Sequence, residues 1–506
     1  MEKTALIEIN ATGLTMRTEK LMGGAFHKII DNVSNTIRFD EDVFENNAIS
    51  DAKINECIKV LVNYQQLCEF KNVLKIHAYA SSFFYKVSNS KKLFEEIYKK
   101  LGINFNILTE EDEVKMIYST MIGTIDVTKG TLLYVNYNNS YVINFAKRSI
   151  LNYYVIPFGS NNLANKFSSS EGKNAGAVIN DMAKTIAKEL KSLNINIETN
   201  EDLNFVGSGP LFLTLSKFVR KIVHYPLDMD NNFNITSEYL EKAVNLLSEQ
   251  NFDKNRRLAN ISNERLANIM AGVAIIKAFA QEKNVESFTI SSRGITDAIM
   301  SAKIVKENSC EGTSNDPLEV SLLNNKYYYP IDETNAKNVA NLTYELFRQM
   351  SIIHKLTRKQ VKALKIAAFM YDCGKRVAYE NHTKFSKDII LNSNLMNATH
   401  KDIVVAAFAC QFQNLDNFNL ADWVRFKAIV NEEDLVNARK IGTLISLASA
   451  LDAGKQNKIQ EINCDLLGDI VVIKAMTNSD ASYEISEANK FAPVFKKVFN
   501  KSYQIM

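Results

Sequence analysis

The feature that most constrains this chain is a pair of ribbons. Residues 5–19 read ALIEIN-ATG-LTMRTE and residues 131–144 read TLLYVNYNNSYVIN, each a strand, a short polar turn and a second strand. In the later ribbon Leu132, Leu133, Tyr134 and Val135 make a buried strand, and Ser140, Tyr141, Val142 and Ile143 start its partner. Between them, Asn136-Tyr137-Asn138-Asn139 suits a tight hairpin, because Asn tolerates left-handed backbone. At 506 residues the chain exceeds one ordinary core, so roughly two to four domains are expected. A ribbon that recurs with helices and further strands behind it predicts two related α/β halves.

The rest of the pattern supports that division. Residues 1–128 form the first expected half. There SDAKINECIKVLVNYQQLCEF carries Ile54, Ile58, Leu61, Val62 and Leu67 on one side, with Ser50 or Asp51 as its cap. VLKIHAYA and INFNIL are strands, SKKLFEEIYKKLG is a helix ending on Gly102, and EEDEVKMIYSTMIG is a helix with an acidic first turn. Residues 129–305 form the second half, with LNFVGSG and ESFTISSRG as strand-plus-turn segments and a helix capped at Ser262. Residues 306–330 contain Gly312, Pro317 and Pro330 among polar residues and predict a linker. Residues 331–506 are patterned as helices, with a short strand pair, IQEINCD and DIVVIKA, near the end.

Composition narrows the function. The formal net charge of +3 does not argue for nucleic acid. The local pairs Lys91-Lys92, Lys99-Lys100, Arg256-Arg257, Arg358-Lys359 and Lys375-Arg376 are expected to be solvated helix faces. Six cysteines (57, 68, 310, 373, 410, 464) without a CxxC pair fit a reducing, cytoplasmic setting better than a disulfide framework. The start of the chain shows no leader pattern, and runs such as GVAII and KIAAFMY are too short for a membrane span. His27, His77, His224, His354 and His400 lack ligand spacing and are expected on the surface or satisfied in the core.

Order and spacing along nearly the whole chain resemble the exopolyphosphatase / guanosine pentaphosphate phosphohydrolase family. LIEINATGL stands where that family has a strand followed by Asp-Ile-Gly-Ser-Asn-Ser, and AYASSFFYKVSN where it has Ala-Thr-Ser-Ala-x-Arg-x-Ala-x-Asn. LTEEDEVKMIY resembles its Ser-Gly-x-Glu-Glu-Ala helix start, YVNYNNSYVI its Asp-Ile-Gly-Gly-Gly-Ser-x-Glu loop, and FVGSGP its Gly-Ser-Gly-Gly turn. AAFMYDCGKRVAYENHTKFS resembles a helical domain related to HD phosphohydrolases. The resemblance implies duplicated actin-like ATPase (ribonuclease H-like) halves followed by an all-α HD-related domain. It also implies hydrolysis of terminal phosphoanhydrides in inorganic polyphosphate or a phosphorylated guanine nucleotide, Mg²⁺ as cofactor, and a homodimer.

Carried over residue by residue, the resemblance makes Glu113 the group that positions and deprotonates the attacking water. Composition alone offers a second role for it, because Glu110, Glu111, Asp112 and Glu113 together complement a helix N-terminus. Phosphate binding falls to Gly207, Ser208 and Gly209, to Asn138, Asn139 and Ser140, and to Asn10 and Ala11; Glu8 stands where a metal carboxylate would be. The departures are many. Glu8 replaces Asp, Asn10 replaces Gly and Ala11 replaces Ser in the first loop. Asn136 replaces Asp, Asn138 and Asn139 replace glycines and Ile143 replaces Glu in the second, and Tyr85 replaces the phosphate-binding Arg. In the helical domain Asn335 and Tyr371 stand where His is expected, and Thr383 and Phe385 interrupt the His-rich loop. Asp372 and His382 remain, too few for a dinuclear metal site, so a buried Tyr371–Asp372 hydrogen bond is expected instead. Weakened catalysis, or a polyphosphate-binding regulator that pairs with an active paralogue, follows from these losses.

Overall fold

A computed structural model of the chain describes residues 2–23, 26–167, 175–197, 203–248, 263–308, 316–329, 331–413 and 420–506. The expectations placed on Arg256-Arg257, Ser262, Cys310, Gly312 and Pro330 lie outside the described residues. The chain divides into two compact units, residues 1–224 with 230–313 and residues 225–229 with 314–506.

In the first unit, β1 (Lys3–Asn10), β2 (Gly13–Gly23), β3 (Phe26–Thr36), β4 (Lys75–Ala80) and β5 (Phe105–Ile107) form a sheet of order β3-β2-β1-β4-β5. The first three strands meander antiparallel, and β4 and β5 add in parallel. The second sheet holds β6 (Lys129–Val135), β7 (Ser140–Ala146), β8 (Ser149–Ile156), β9 (Asn204–Ser208), β10 (Asn234–Thr236) and β11 (Ser287–Ser291) in the order β10-β11-β9-β6-β7-β8. Setting β10 aside, β8-β7-β6-β9-β11 repeats the first sheet strand for strand and direction for direction. This is the duplicated actin-like arrangement expected from the two ribbons. The third strand of each meander, β3 and β8, was not expected. Both lie at sheet edges, and among their described side chains Ile156 is the one buried, so no apolar run announces either.

β1 reads as a continuous apolar run because both of its faces are covered. Ala5, Ile7 and Ile9 pack with Ile54, Ile58 and Leu61 of the helix Asp51–Phe70. Leu6 faces the other way and joins Val114, Ile117 and Met121 of the helix Glu110–Ile122. The same cluster takes in Leu132, Tyr134, Tyr141, Ile143 and Phe145 from β6 and β7. One core thus spans both sheets, each fully buried aliphatic side chain in it stabilising by about 1.5–3 kcal/mol. Polar contacts complete the register between the halves. Asn161 Nδ2 donates to Asp40 Oδ2 at 2.8 Å, Arg17 Nη1 to Asp297 Oδ1 at 3.0 Å and Thr296 Oγ1 to Glu8 Oε2 at 2.6 Å.

The second unit is largely helical. The helices Glu333–Gln349, Val361–Phe369, His400–Gln411 and Glu432–Ala450 enclose its core, with Val339, Leu364, Val404 and Leu444 fully buried. It is not all-α. β12 (Ile459–Leu467) and β13 (Ile470–Thr477) are the expected strand pair, turning at Gly468 with φ +62°, and β14 (Ser502–Ile505) adds in parallel. Only four residues long, β14 carries no alternation strong enough to be seen beforehand. Part of the expected linker is also helical: Pro317–Asn325 starts with Pro at its first turn, is capped by Asp316, and buries Leu318 and Leu322. The proline that suggested a break is the residue that opens this helix.

Candidate functional site

The shared core fixes where the two ribbon turns go. β1 and β6 share one cluster, and a cleft of about 450 Å³, including its open mouth, is lined by the turns at both of their C-terminal ends. Asn10 and Ala11 line it from the first turn and Asn136 to Asn139 from the second. Ser81, Ser82, Phe83, Lys86 and Glu113 complete its wall.

Each turn is built by its own asparagines. Asn10 Oδ1 accepts from both the amide and the hydroxyl of Thr12 at 2.9 Å. Asn136 Oδ1 accepts from the Tyr137 amide at 2.9 Å, and the turn closes through Asn136 N–H to Asn139 O at 3.1 Å. The carbonyls of Asn136 and Tyr137 accept from the amides of Ser160 and Asn161 at the start of the helix Ser160–Lys166. This seats the second turn on Gly159, where a Cβ would lie 2.4 Å from Asn138 N and from Tyr137 C. Asn138 lines the cleft with its Nδ2 buried and unpartnered among the described residues. A buried donor without an acceptor is costly, about 1–3 kcal/mol, unless a ligand or water completes it.

The acidic turn resolves residue by residue. Asp112 makes a capping box with Thr109, Glu110 pairs with Lys86 at 3.0 Å and Glu111 with Lys115 at 2.6 Å. Glu113 alone turns inward and is fully buried, although it stands in the same helical turn. Its Oε1 accepts from the Ser82 amide at 2.7 Å and its Oε2 from the Tyr141 hydroxyl at 2.6 Å. Burial pushes its carboxyl above the ordinary value; the bonds from Tyr141 and Ser82 oppose that rise, and the charge of Glu8 adds to it. Burial likewise raises the Tyr141 phenol, reinforced by the Glu113 charge.

The other expected residues divide. Asn10, Ala11, Asn138 and Asn139 line the cleft. Ser140 is buried behind it, its hydroxyl donating to Phe158 O at 2.8 Å. Gly207, Ser208 and Gly209 are not among the lining residues. Ser208 Oγ donates to Ser291 O at 3.1 Å between neighbouring strands, a Cβ on Gly207 would strike the Phe212 ring, and Gly209, at φ +99°, starts the helix Pro210–Ile222 beside Val135 O. Tyr85 is largely exposed and its hydroxyl reaches Ile107 O at 3.3 Å. The cation on the cleft wall is its neighbour Lys86, which sequence reasoning passed over. The available signal was that Lys86 is the one charged residue in AYASSFFYKVSN.

Glu8, which stands where a metal carboxylate would be, is not among the residues lining the cleft. Thr296 donates to its Oε2 at 2.6 Å and the Asn10 amide approaches its Oε1 at 3.5 Å. Among the described residues no group of three His, Cys, Asp or Glu side chains could hold a metal ion. The second unit supplies none either. Tyr371 donates to Asn335 Oδ1 at 2.8 Å, not to Asp372, and Asn335 Nδ2 donates to Asp452 Oδ2 at 2.7 Å. Asp372 is instead bracketed by Lys375 and Lys455 at 3.2 and 3.3 Å. Two ammonium groups thus face the carboxylate from which a metal site would have been built. His354 is a satisfied core residue, bonded to Phe347 O at 2.6 Å and to the Leu356 amide at 2.8 Å. No helix among the described residues is long and apolar enough to cross a membrane.

Comparison with known proteins gives a consistent result. Residues 20–307 match the Ppx/GppA phosphatase family and residues 319–484 match domain III of Ppx/GppA phosphatases. Guanosine-5'-triphosphate,3'-diphosphate pyrophosphatases from Aeromonas hydrophila and Aeromonas salmonicida are each 22% identical over 184 residues. Those matches span 36% of this chain and only 36% of each relative. The crystal structure of the Aquifex aeolicus Ppx/GppA family member is similar at 17% identity and TM-score 0.50, covering 61% of this chain and 99% of that one. An exopolyphosphatase from Cytophaga hutchinsonii is similar at 11% identity and TM-score 0.53, covering 60% and 98%. The chain belongs to the Ppx/GppA phosphatase family.

Proposed function

We propose that this family member holds the terminal phosphates of inorganic polyphosphate, or of a phosphorylated guanine nucleotide, between its two ribbon turns and hydrolyses the end anhydride slowly. The observation that carries the reading is the buried Glu113 carboxylate on the wall of a cleft that also presents Lys86 and the unpartnered Asn138 amide. In this reading Asn138 Nδ2 and Lys86 Nζ bind phosphate oxygens, and Glu113 orients and deprotonates the attacking water. Slow turnover follows from the chemistry of the wall. Phosphoryl transfer is catalysed mainly by charge placed around the moving phosphate. Here the second turn offers amides where the family has a carboxylate and glycines, and Tyr85 leaves one lysine to do the work of an arginine. Glu8 lies off the cleft lining, and no step is assigned to Mg²⁺.

Phosphate release from long-chain polyphosphate, with and without Mg²⁺, tests this. Glu113→Gln is expected to lower turnover by about 10²–10⁴-fold, the range for losing a general base. Polyphosphate binding without turnover in either form makes the chain a binding regulator. Turnover that survives Glu113→Gln refutes the assignment.

A further inference from the structure

We propose that Tyr141 is the positioning residue of the cleft, a strut from the second half that fixes the carboxylate of the first. The inference rests on Glu113 being the working group, but its geometry stands apart from any substrate. Glu113 and Ser82 belong to the first α/β half; Tyr141 and Asn139 belong to the second. The Tyr141 hydroxyl donates to Glu113 Oε2 at 2.6 Å, accepts from Asn139 Nδ2 at 2.8 Å, and lies 3.5 Å from Ser82 Oγ. With Ser82 N–H on the other oxygen, both carboxylate oxygens are held and the carboxylate plane is set.

Tyr141 is itself enclosed by packing. It is fully buried, pairs with Tyr134 across the β6–β7 ladder, and packs against that ring at 6.3 Å between centroids. The chain of bonds therefore runs from a turn residue on the cleft wall to the carboxylate on the opposite wall. Asn139 Nδ2 has a second hydrogen, free to meet an anion in the cleft while the first holds Tyr141. Ligand binding at the second turn and orientation of Glu113 are thereby coupled through one phenol. A carboxylate set by a group on the other half is correctly aimed only while the halves are engaged.

The test is Tyr141→Phe, which removes one oxygen and keeps the ring packing. If wild-type protein turns over polyphosphate, kcat is expected to fall about 10–100-fold with KM within about twofold, the pattern of a misaimed catalytic group. A purely structural role would leave that split absent. In parallel, Tm is measured for Tyr141→Phe, Glu113→Leu and the double variant. The strut predicts non-additive losses, the double variant falling no further than the larger single one. Additive Tm losses, or an unchanged kcat in an active enzyme, overturn the inference. If wild-type protein neither binds nor cleaves polyphosphate, the functional reading fails, and the Tm cycle alone decides whether the strut exists.

Discussion

Replacing Gly159 by Ala is the most direct way to disturb the cleft without touching a group that faces it. Gly159 has φ −121° and ψ −170°, backbone that any residue adopts, so the substitution carries no conformational penalty of its own. The penalty is steric. The added Cβ would lie 2.4 Å from Asn138 N, 2.4 Å from Tyr137 C and 2.5 Å from Asn136 O. Carbon contacts are comfortable at about 3.5–4.0 Å, so an atom of the turn must retreat by about 1 Å. All three neighbours are backbone, and no side chain can swing aside, so the whole 136–139 turn has to move. Overpacking of this kind costs about 1–3 kcal/mol. The smaller unfolded-state entropy of Ala returns about 0.4–1 kcal/mol. The net loss, between zero and about 2.6 kcal/mol with a midpoint of about 1.3, lowers Tm by roughly 2–4 °C per kcal/mol in a large unit. Gly294→Ala is the control, because nothing lies within 4 Å of its Cβ and only the unfolded-state gain of about 0.4–1 kcal/mol is expected. Calorimetric Tm gives the first readout and orthophosphate titration the second, since a displaced turn shifts Asn138 on the cleft wall. A Gly159→Ala protein with wild-type Tm and wild-type phosphate affinity would refute the reasoning.

Other outcomes follow from the same geometry. The Glu113 carboxyl titrates above its ordinary value, so the folded state binds that proton more tightly than the unfolded chain. Its favourable contribution is whole below about pH 4.5 and is lost as pH climbs through the raised folded value. Tm measured against pH should therefore fall more steeply over that rise in wild type than in Glu113→Gln; parallel curves would contradict it. Lys86→Ala should weaken phosphate binding while leaving Tm nearly unchanged, because the Lys86–Glu110 pair is mostly exposed. Asn161→Ala removes the buried donor to Asp40, which Arg38 then holds alone, and should cost about 1–3 kcal/mol in denaturant unfolding.

Much of the fold was legible because it is written in local pattern. The two ribbons, the apolar run of β1, the Ser50 cap, the helix end at Gly102 and the acidic first turn at Glu110 each depend on residues within a few positions of one another. The edge strands β3 and β8 were not legible, because they bury little and so leave no periodic signal. The family resemblance fixed attention on Glu113, Asn10 and Asn138, and all three meet at one cleft. It also pointed to Gly207–Gly209, which do not line that cleft and whose glycines lie against Phe212 and Val135.

What the sequence by itself determined was a duplicated α/β frame with an acidic helix start between two polar turns. Tertiary structure decided which acid faces inward: four consecutive carboxylates share one helical turn, and only packing against β1 and β7 buries Glu113 while the rest meet Thr109, Lys86 and Lys115. It likewise decided that Lys86 lines the cleft and Tyr85 does not, and that Tyr141 closes on Glu113 from a strand 28 residues away. Residue order sets pairings along a helix or hairpin through short-range sterics and hydrogen bonds. Contacts between separate elements depend on how the shared core orients them, and no local rule encodes that angle.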